Sequence, residues 1–387
     1  MQRKKLLIVG GGNLCLQILQ ILVPRNQFDF YVASRDLERV TRLCNLVRLA
    51  ALQQDVVAHI ECKQMDLCES AIERNAKTLT EIRPDIILNC ASLQSWRIIT
   101  QLPQPMFNAL DQAQLGPWLP MHLAPAYALM RAVKEAGSKA LVVNAAFPDA
   151  VNPVLYKVGM APTVGVGNIA NLVPATRSAI AQLAICKPTQ VKVKLIGQHY
   201  FSHYVPRRGL PPCKEELFNL SYWIGDSECT EAFKPEDIFG RVTDTFQRLG
   251  GTDGQYLTAM SAVSVVENLF AETEVHVHAP GPHGLPGGYP VKVGMGRVLL
   301  DLPYGVRRDV AIQINEEGQR QDGIRAILAD GTVRFEPEQM GVMHSLLKYS
   351  LNEMKVQDAA KHAEELGRKY RTFANDVRQQ EDRHVAL

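Results

Sequence analysis

Lys5-Leu-Leu-Ile-Val-Gly-Gly-Gly-Asn-Leu-Cys15 carries a strand, a turn and the first turn of a helix in one short run. Leu6 to Val9 is continuously apolar and ends at glycine, as a strand buried on both faces of a parallel sheet should. Leu14, Ile18, Leu19, Ile21 and Leu22 then recur at helical spacing until Pro24 stops the run. Strand, glycine turn and helix in this order form the phosphate-binding corner of a dinucleotide fold. Gly10 permits the tight turn, and Gly12 lets the backbone approach a pyrophosphate. The helix opening at Asn13 and Leu14 offers unpaired N–H groups and the positive end of its dipole. The pattern is Gly10-x-Gly12-x-x-Cys15, so the third glycine is replaced by a larger residue, which loosens helix–strand packing without removing the anion site. Any tight strand-to-helix turn wants glycine, but the flanking strand and helix favour a cofactor over a purely structural turn.

Length and composition bound the rest. The chain has 387 residues, too many for one ordinary core, with 46% hydrophobic and 21% charged residues, the balance of a soluble globular protein. A net charge of +2 gives no general argument for nucleic acid or an acidic membrane. No apolar run approaches the roughly 18 residues of a membrane helix, and the apolar stretch behind the charged amino end breaks at Gly10, unlike a signal peptide. The eight cysteines form no Cys-x-x-Cys pair and several sit in apolar runs, as reduced, buried thiols of a cytoplasmic protein do.

Strands and helices alternate through the first 150 residues: strands at 28–33, 56–62, 85–91 and 139–145, helices at 37–52, 69–82 and 119–136. This pattern predicts a Rossmann-type doubly wound parallel sheet with helices on both faces. At the end of the second strand an NAD site places a carboxylate on the ribose. Here Ser34-Arg35-Asp36 puts a hydroxyl and a planar cation in that corner, suited to a 2′-phosphate, so NADP is expected, with NAD the alternative. Ser34 or Asp36 also suits a helix cap. Asp66, after the third strand, is placed to meet the adenine amino group or to cap the next helix. Ala91 and Ser92 leave the fourth strand toward the cofactor side.

These residues carry a resemblance. Val9-Gly-Gly-Gly-Asn, Ala33-Ser-Arg-Asp-Leu-Glu-Arg-Val, Met65-Asp-Leu and Pro84-Asp-Ile-Ile-Leu-Asn-Cys-Ala are similar to the cofactor half of the saccharopine dehydrogenase-like oxidoreductases. The resemblance covers the first 150 residues, and the remainder mainly in domain order. It implies a nicotinamide cofactor and an amino-acid-derived substrate.

The second half reads as an α+β substrate domain over 151–335, followed by a C-terminal helical segment over 336–387. Val164-Gly-Val-Gly-Asn168 reads either as a glycine hinge between domains that faces the nicotinamide or as a plain linker. Helices are expected at 171–183 and 260–269. A strand at 191–196 runs into His199-Tyr-Phe-Ser-His-Tyr204, with Arg207 and Arg208 behind it. A strand at 274–278 leads into a segment from Ala279 to Pro290, whose prolines and glycines predict a rigid loop, a candidate lid. Strands resume at 291–293 and 298–302. Val356, Ala359, Ala363, Leu366, Tyr370, Phe373 and Val377 form an apolar stripe that fits docking on the first domain, with a homodimer seam the alternative.

Hydride transfer needs alignment, a proton donor or acceptor, and charge complementary to the substrate. His199 and His203, with Tyr204 beside them, are the expected acid–base groups at a strand end facing the nicotinamide. Arg207 or Arg208 would clamp a substrate carboxylate, and His278 and His283 would face it from the proline–glycine loop. His276-x-His278 lacks a third ligand, so no metal is expected. The leading expectation is an NAD(P)-dependent oxidoreductase acting on a small amino-acid-derived carboxylate or imine. The alternatives are a short-chain reductase or nucleotide-sugar epimerase, for which Tyr127-x-x-x-Arg131 lacks the lysine, and a nonenzymatic dinucleotide-binding redox sensor.

Overall fold

Leu6, Leu7, Ile8 and Val9 form the heart of a six-stranded parallel sheet and are almost wholly withdrawn from solvent. Burying such a side chain contributes roughly 1.5–3 kcal/mol, so this strand carries apolar residues on both faces. The computed structural model describes residues 3–385, the side chains of residues 96, 97 and 381–385 excepted.

The first unit runs β1 (Lys4–Val9), α1 (Asn13–Leu22), β2 (Phe28–Ser34), α2 (Leu37–Leu52), β3 (Ile60–Gln64), α3 (Ile72–Ile82), β4 (Ile86–Asn89), α4 (Gln104–Asp111), α5 (Leu119–Glu135), β5 (Leu141–Asn144), α6 (Pro148–Lys157) and β6 (Val164–Gly165). The strand order is β3-β2-β1-β4-β5-β6. Direction of travel reverses between β1 and β4, and ligands of such sheets bind outside the carboxyl ends of the strands at that point. The third strand starts at Ile60, later than expected; Val57 is exposed.

The expected hinge at Val164-Gly-Val-Gly-Asn168 opens instead with the sixth strand, paired to β5. A Cβ on Gly165 would lie 2.2 Å from Pro148 Cβ and 2.6 Å from the Pro280 carbonyl oxygen, so this glycine serves close packing.

The second unit contains α7 (Ile169–Leu183), β7 (Val191–Gly197), α8 (His199–Arg208), β8 (Phe218–Ile224), β9 (Ser227–Glu228), α9 (Pro235–Asp244), α10 (Gly251–Asn268), β10 (Val275–Pro280), β11 (Gly288–Gly294), β12 (Arg297–Leu300) and α11 (Arg308–Gln321). Its strands form a sheet ordered β10-β11-β7-β8-β9, with β12 on β11, and every pairing is antiparallel. Two expectations are corrected here. The segment from His199 to Tyr204 is not a strand end: Gln198 Oε1 accepts from the Tyr200 N–H at 2.6 Å and caps a helix. The segment from Pro280 to Pro290 is not a lid. It finishes β10, makes one 3₁₀ turn and begins β11, with the Gly281 N–H donating to the Gly287 carbonyl at 2.8 Å.

The chain ends with β13 (Ile324–Ile327), β14 (Val333–Phe335), α12 (Pro337–Leu347), β15 (Glu353–Met354) and α13 (Ala359–Val385). The small sheet β13-β14-β15 runs across the border expected at 335. Ala359, Ala363, Leu366, Tyr370, Ala374 and Val377 of α13 are buried in one core with Leu129 and Trp118 of the first unit. The stripe therefore docks within the chain, with the Tyr370 and Trp118 rings edge to face at 5.6 Å. Among the described residues no helix is long and apolar enough to cross a membrane.

Candidate active site

A cleft of about 690 Å³ opens at the carboxyl ends of β1 and β4. The glycine turn forms its floor. Gly10 has φ +112°, and a Cβ there would meet Ala91 N and Cys90 C at 2.9 Å, so β1 turns only because glycine stands there. Gly12 precedes α1, and a Cβ on it would meet nothing within 4 Å. The backbone at the start of α1 is thus open to a ligand. Cys15, in the third glycine position, is fully buried, and burial with its neighbouring thiols raises its pKa well above the ordinary value.

Gly10, Gly12, Asn13, Leu14, Ser34, Arg35, Asp66, Ala91 and Ser92 all line this cleft. The Asn13 side chain donates to the Thr252 carbonyl at 3.3 Å and to Gln255 Oε1 at 3.2 Å. It fastens α1 to α10, and the amino end of α10, from Gly250 to Gly254, forms the opposite wall. At the end of β2, Asp36 accepts from the Arg39 N–H at 2.9 Å and caps α2, while Ser34 Oγ lies 3.4 Å from the Asp36 N–H. The Asp36 carboxylate is engaged by its own helix, and Arg35 and Arg39 both reach the cleft wall.

The imidazoles stand where β7 gives way to α8. Their four-residue spacing puts His199 and His203 on one helix face, with rings stacked at 5.4 Å. His199 Nδ1 lies 3.0 Å from Asp322 Oδ2, and the His199 N–H donates to Asp149 Oδ1 at 2.9 Å. Asp322 also accepts from Gln198 Nε2 at 3.0 Å and from the Leu115 N–H at 3.3 Å. Burial pulls the His199 pKa down, but the charge and hydrogen bond of Asp322, with Asp149 behind it, outweigh burial, and the pKa is raised. Burial pushes Asp149 up to about 6, against the His199 charge and the Asn168 amide.

For His203, burial prevails and the pKa is lowered. Its Nε2 is 3.8 Å from Asp111 Oδ1, beyond hydrogen-bond reach. Asp111 pairs with Arg207 at 3.2 Å. Burial would raise the Asp111 carboxyl, but His203 and Arg207 outweigh it and hold it below the usual range. His122 of α5 completes the wall, its Nδ1 buried without a partner among the described residues, and burial with the His199 charge lowers its pKa to about 4. Phe147, at φ +46°, separates the two imidazoles, with ring centroids 6.0 Å from His122 and 5.6 Å from His199.

The cleft thus gathers His199, His203 and Arg207, but four expected site residues lie elsewhere. Tyr204 packs on Tyr200 at 5.5 Å, with the Arg208 guanidinium over its ring at 5.5 Å, and neither lines the cleft. His278 Nε2 accepts from the Leu195 N–H at 3.0 Å across the second sheet, and burial lowers its pKa to about 3, which keeps it the neutral acceptor this bond needs. His283 Nε2 donates to the Val298 carbonyl at 2.6 Å, stapling the turn before β11 to β12. The Pro280–Pro290 segment contributes to the site only from behind, where the Gly287 N–H donates to the Asp149 carbonyl at 3.2 Å.

Arg39, His122 and Arg248 line the cleft without a sequence signal, and the supports Asp111, Asp149 and Asp322 were equally hidden. Leu249-Gly-Gly was the one local cue, a glycine pair before a helix. Arg248 Nη1 donates to the Asn171 carbonyl at 2.7 Å and makes no ion pair among the described residues. Among the described residues no group of three or more His, Cys, Asp or Glu could hold a metal ion.

No family model and no curated protein matches the chain. Solved structures do. Malate dehydrogenase of Cryptosporidium parvum aligns with a TM-score of 0.56 at 14% identity, over 83% of this chain and 98% of that one. Lactate dehydrogenase of Eimeria maxima, solved with NADH and oxamate, gives 0.56 at 13% identity, over 83% and 94%. Malate dehydrogenase of Aeropyrum pernix gives 0.54 at 15%, over 81% and 95%. These are malate and lactate dehydrogenases and not saccharopine dehydrogenase-like enzymes, so the finer resemblance drawn from the first 150 residues is not carried by them. At such identities the likeness is one of fold: this chain has the Rossmann-type parallel sheet followed by an antiparallel-sheet unit that those dehydrogenases share.

Proposed function

We propose that the protein is a nicotinamide-dependent oxidoreductase that moves hydride to or from a small amino-acid-derived carboxylate or imine. The observation that carries this is the His199–Asp322 pair, set in the same cleft as the Gly10–Gly12 turn. The residues present fit the cofactor: the turn leaves backbone N–H groups open over the start of α1, where nothing crowds Gly12. Ser34 and Arg35, joined by Arg39, favour NADP over NAD, because the nearby Asp36 carboxylate is taken by the cap of α2. Asp66, Ala91 and Ser92 would line the adenosine side. The structural neighbours include lactate and malate dehydrogenases solved with NADH, which supports a nicotinamide dinucleotide generally.

A bound nicotinamide supplies or accepts the hydride. The chain supplies the proton and the alignment. Asp322 accepts from His199 Nδ1–H, which leaves Nε2 to hold the transferable proton. The Asp322 charge raises the His199 pKa against burial and so favours the protonated form. His203, its pKa lowered, stacks on that ring and steadies it. Arg207, oriented by Asp111, would neutralise a substrate carboxylate, with Arg248 facing the same cleft. The short-chain reductase alternative loses support: Arg131 pairs with Glu69 and lies over Tyr127 at 5.7 Å, and neither Tyr127 nor Arg131 reaches the cleft.

The test is steady-state oxidation of NADPH and NADH with a panel of keto acids, alone and with amines, for the wild type and Arg35→Ala. Turnover with NADPH preferred, and the preference lost in Arg35→Ala, is the expected result. Nucleotide binding without turnover on any member would favour the redox sensor.

A further inference from the structure

A second cavity, of about 270 Å³, lies between the cofactor corner and the C-terminal helix. Arg35, Leu93, Gln94 and Met121 line one side, and Glu364, Gly367 and Arg371 of α13 line the other. Arg35 lines both this cavity and the main cleft, so the two spaces meet at that side chain. We propose that Arg371 belongs to the cofactor site and, with Arg35, binds the phosphate monoester on the adenosine 2′ oxygen. The proposal rests on the NADP reading above and extends it to an element at the far end of the chain.

Three features converge on an anion. Gly367 stands buried in the interior of a long helix, where alanine would be more stable. A Cβ there would come within 3.3 Å of both Arg371 Nη1 and Met121 Cε. The glycine therefore leaves room for the exposed Arg371 side chain to lie back along the helix, where it lines the cavity. Among the described residues nothing accepts from the buried Gln94 Nε2, and a buried donor without an acceptor is costly unless a ligand supplies one. Finally, neither Arg35 nor Arg371 makes an ion pair among the described residues. Two guanidiniums and an amide donor thus surround a space that holds a single acid, Glu364. Guanidinium forks match phosphate oxygens in geometry as well as charge.

The segment that carries Leu93 and Gln94 is itself held by the C-terminal helix. Tyr370 Oη, one residue before Arg371, donates to the Ile98 carbonyl at 3.0 Å. On the other side the Leu93 N–H donates to the Met121 carbonyl at 2.9 Å, a carbonyl left free because Pro125 lacks the N–H that would have bonded it within α5. The two bonds anchor the backbone that carries Gln94 between α5 and α13.

Titration calorimetry with 2′,5′-ADP and with 5′-ADP tests the proposal on the full chain, using wild type, Arg371→Ala and Arg371→Lys. Loss of a charge-assisted contact predicts that Arg371→Ala binds 2′,5′-ADP about tenfold more weakly, with 5′-ADP changed by less than about twofold. Arg371→Lys should fall between, and circular dichroism should report an intact helix in both variants. Unchanged binding of 2′,5′-ADP in Arg371→Ala, or equal loss for both nucleotides, overturns the proposal. A wild type that binds the two nucleotides alike overturns the NADP reading and this inference with it. A wild type that prefers 2′,5′-ADP while Arg371→Ala keeps that preference overturns the inference alone.

Discussion

His199 Nδ1 and Asp322 Oδ2 lie 3.0 Å apart although 123 positions separate them in the chain. Asp322 is the residue that follows α11, fully buried, and it is tied as well to Gln198 and to the loop before α5. The pair lies within the second unit and is tied to the first through the Leu115 N–H on Asp322 and through Asp149, which accepts from the His199 N–H.

The first prediction concerns pH. In the direction that reduces substrate, His199 must be protonated, so turnover should fall as pH rises through a pKa above the ordinary value of 6.5. In Asp322→Asn the lowering effect of burial is no longer opposed by that charge, and the limb should move to lower pH. Each unit of displacement removes about tenfold of the protonated form above it. A pH–rate profile of both proteins reads this directly; superimposable limbs would show that His199 is not the titrating group.

The two histidines should separate. His199→Ala is expected to lose about 100-fold or more in turnover, as removal of an acid–base group does, with cofactor affinity nearly unchanged. His203→Ala should lose less, because its Nε2 stands 3.8 Å from the nearest carboxylate and its pKa is lowered by burial. Equal losses in kcat would make the stacked pair a single unit; near-normal turnover of His199→Ala would sink the assignment.

Gly12→Val should abolish cofactor binding and leave the fold intact. A Cβ at Gly12 meets no protein atom within 4 Å, so the added side chain intrudes only on ligand space. Nucleotide titration and a thermal melt, run side by side, check both halves of the statement.

Gly287→Ala should instead damage the fold. Gly287 has φ +67°, and a Cβ there would lie 2.0 Å from Asn315 Oδ1, whose side chain also bonds the Gly288 backbone. A strained φ and a backbone-anchored clash together cost at least about 2 kcal/mol. The midpoint of urea unfolding should fall accordingly, and an unchanged midpoint would contradict the role given to this turn.

Much of the first unit was legible because its signals are local. Leu6–Val9, the glycine turn and the helix to Leu22 need only neighbours in sequence, and so does the corner at Ser34-Arg35. The fate of His199 was half legible. Its chemistry and its spacing from His203 were visible, but the alternation of Val191–Ile196 carried the strand reading past Gly197, although Gln198 caps a helix there. Prolines misled between Ala279 and Pro290. Pro290 sits within β11 opposite His278, and its carbonyl still accepts from the Asp301 N–H at 3.0 Å. Asp322, His122, Arg248 and Arg371 could not be found from sequence, because each acquires its place only when distant elements pack.

The docking of α13 bears on the order in which the protein can be made. The parallel sheet is translated first, yet the core beneath it includes Leu366, Tyr370 and Val377, and Tyr370 grips the segment beyond β4. A ribosome-bound chain that has reached only β6 has its glycine turn but lacks that part of its core. That core is thus closed only when residues 359–377 emerge, and a chain stopped at β6 leaves Trp118 and Leu129 without the α13 side chains that cover them.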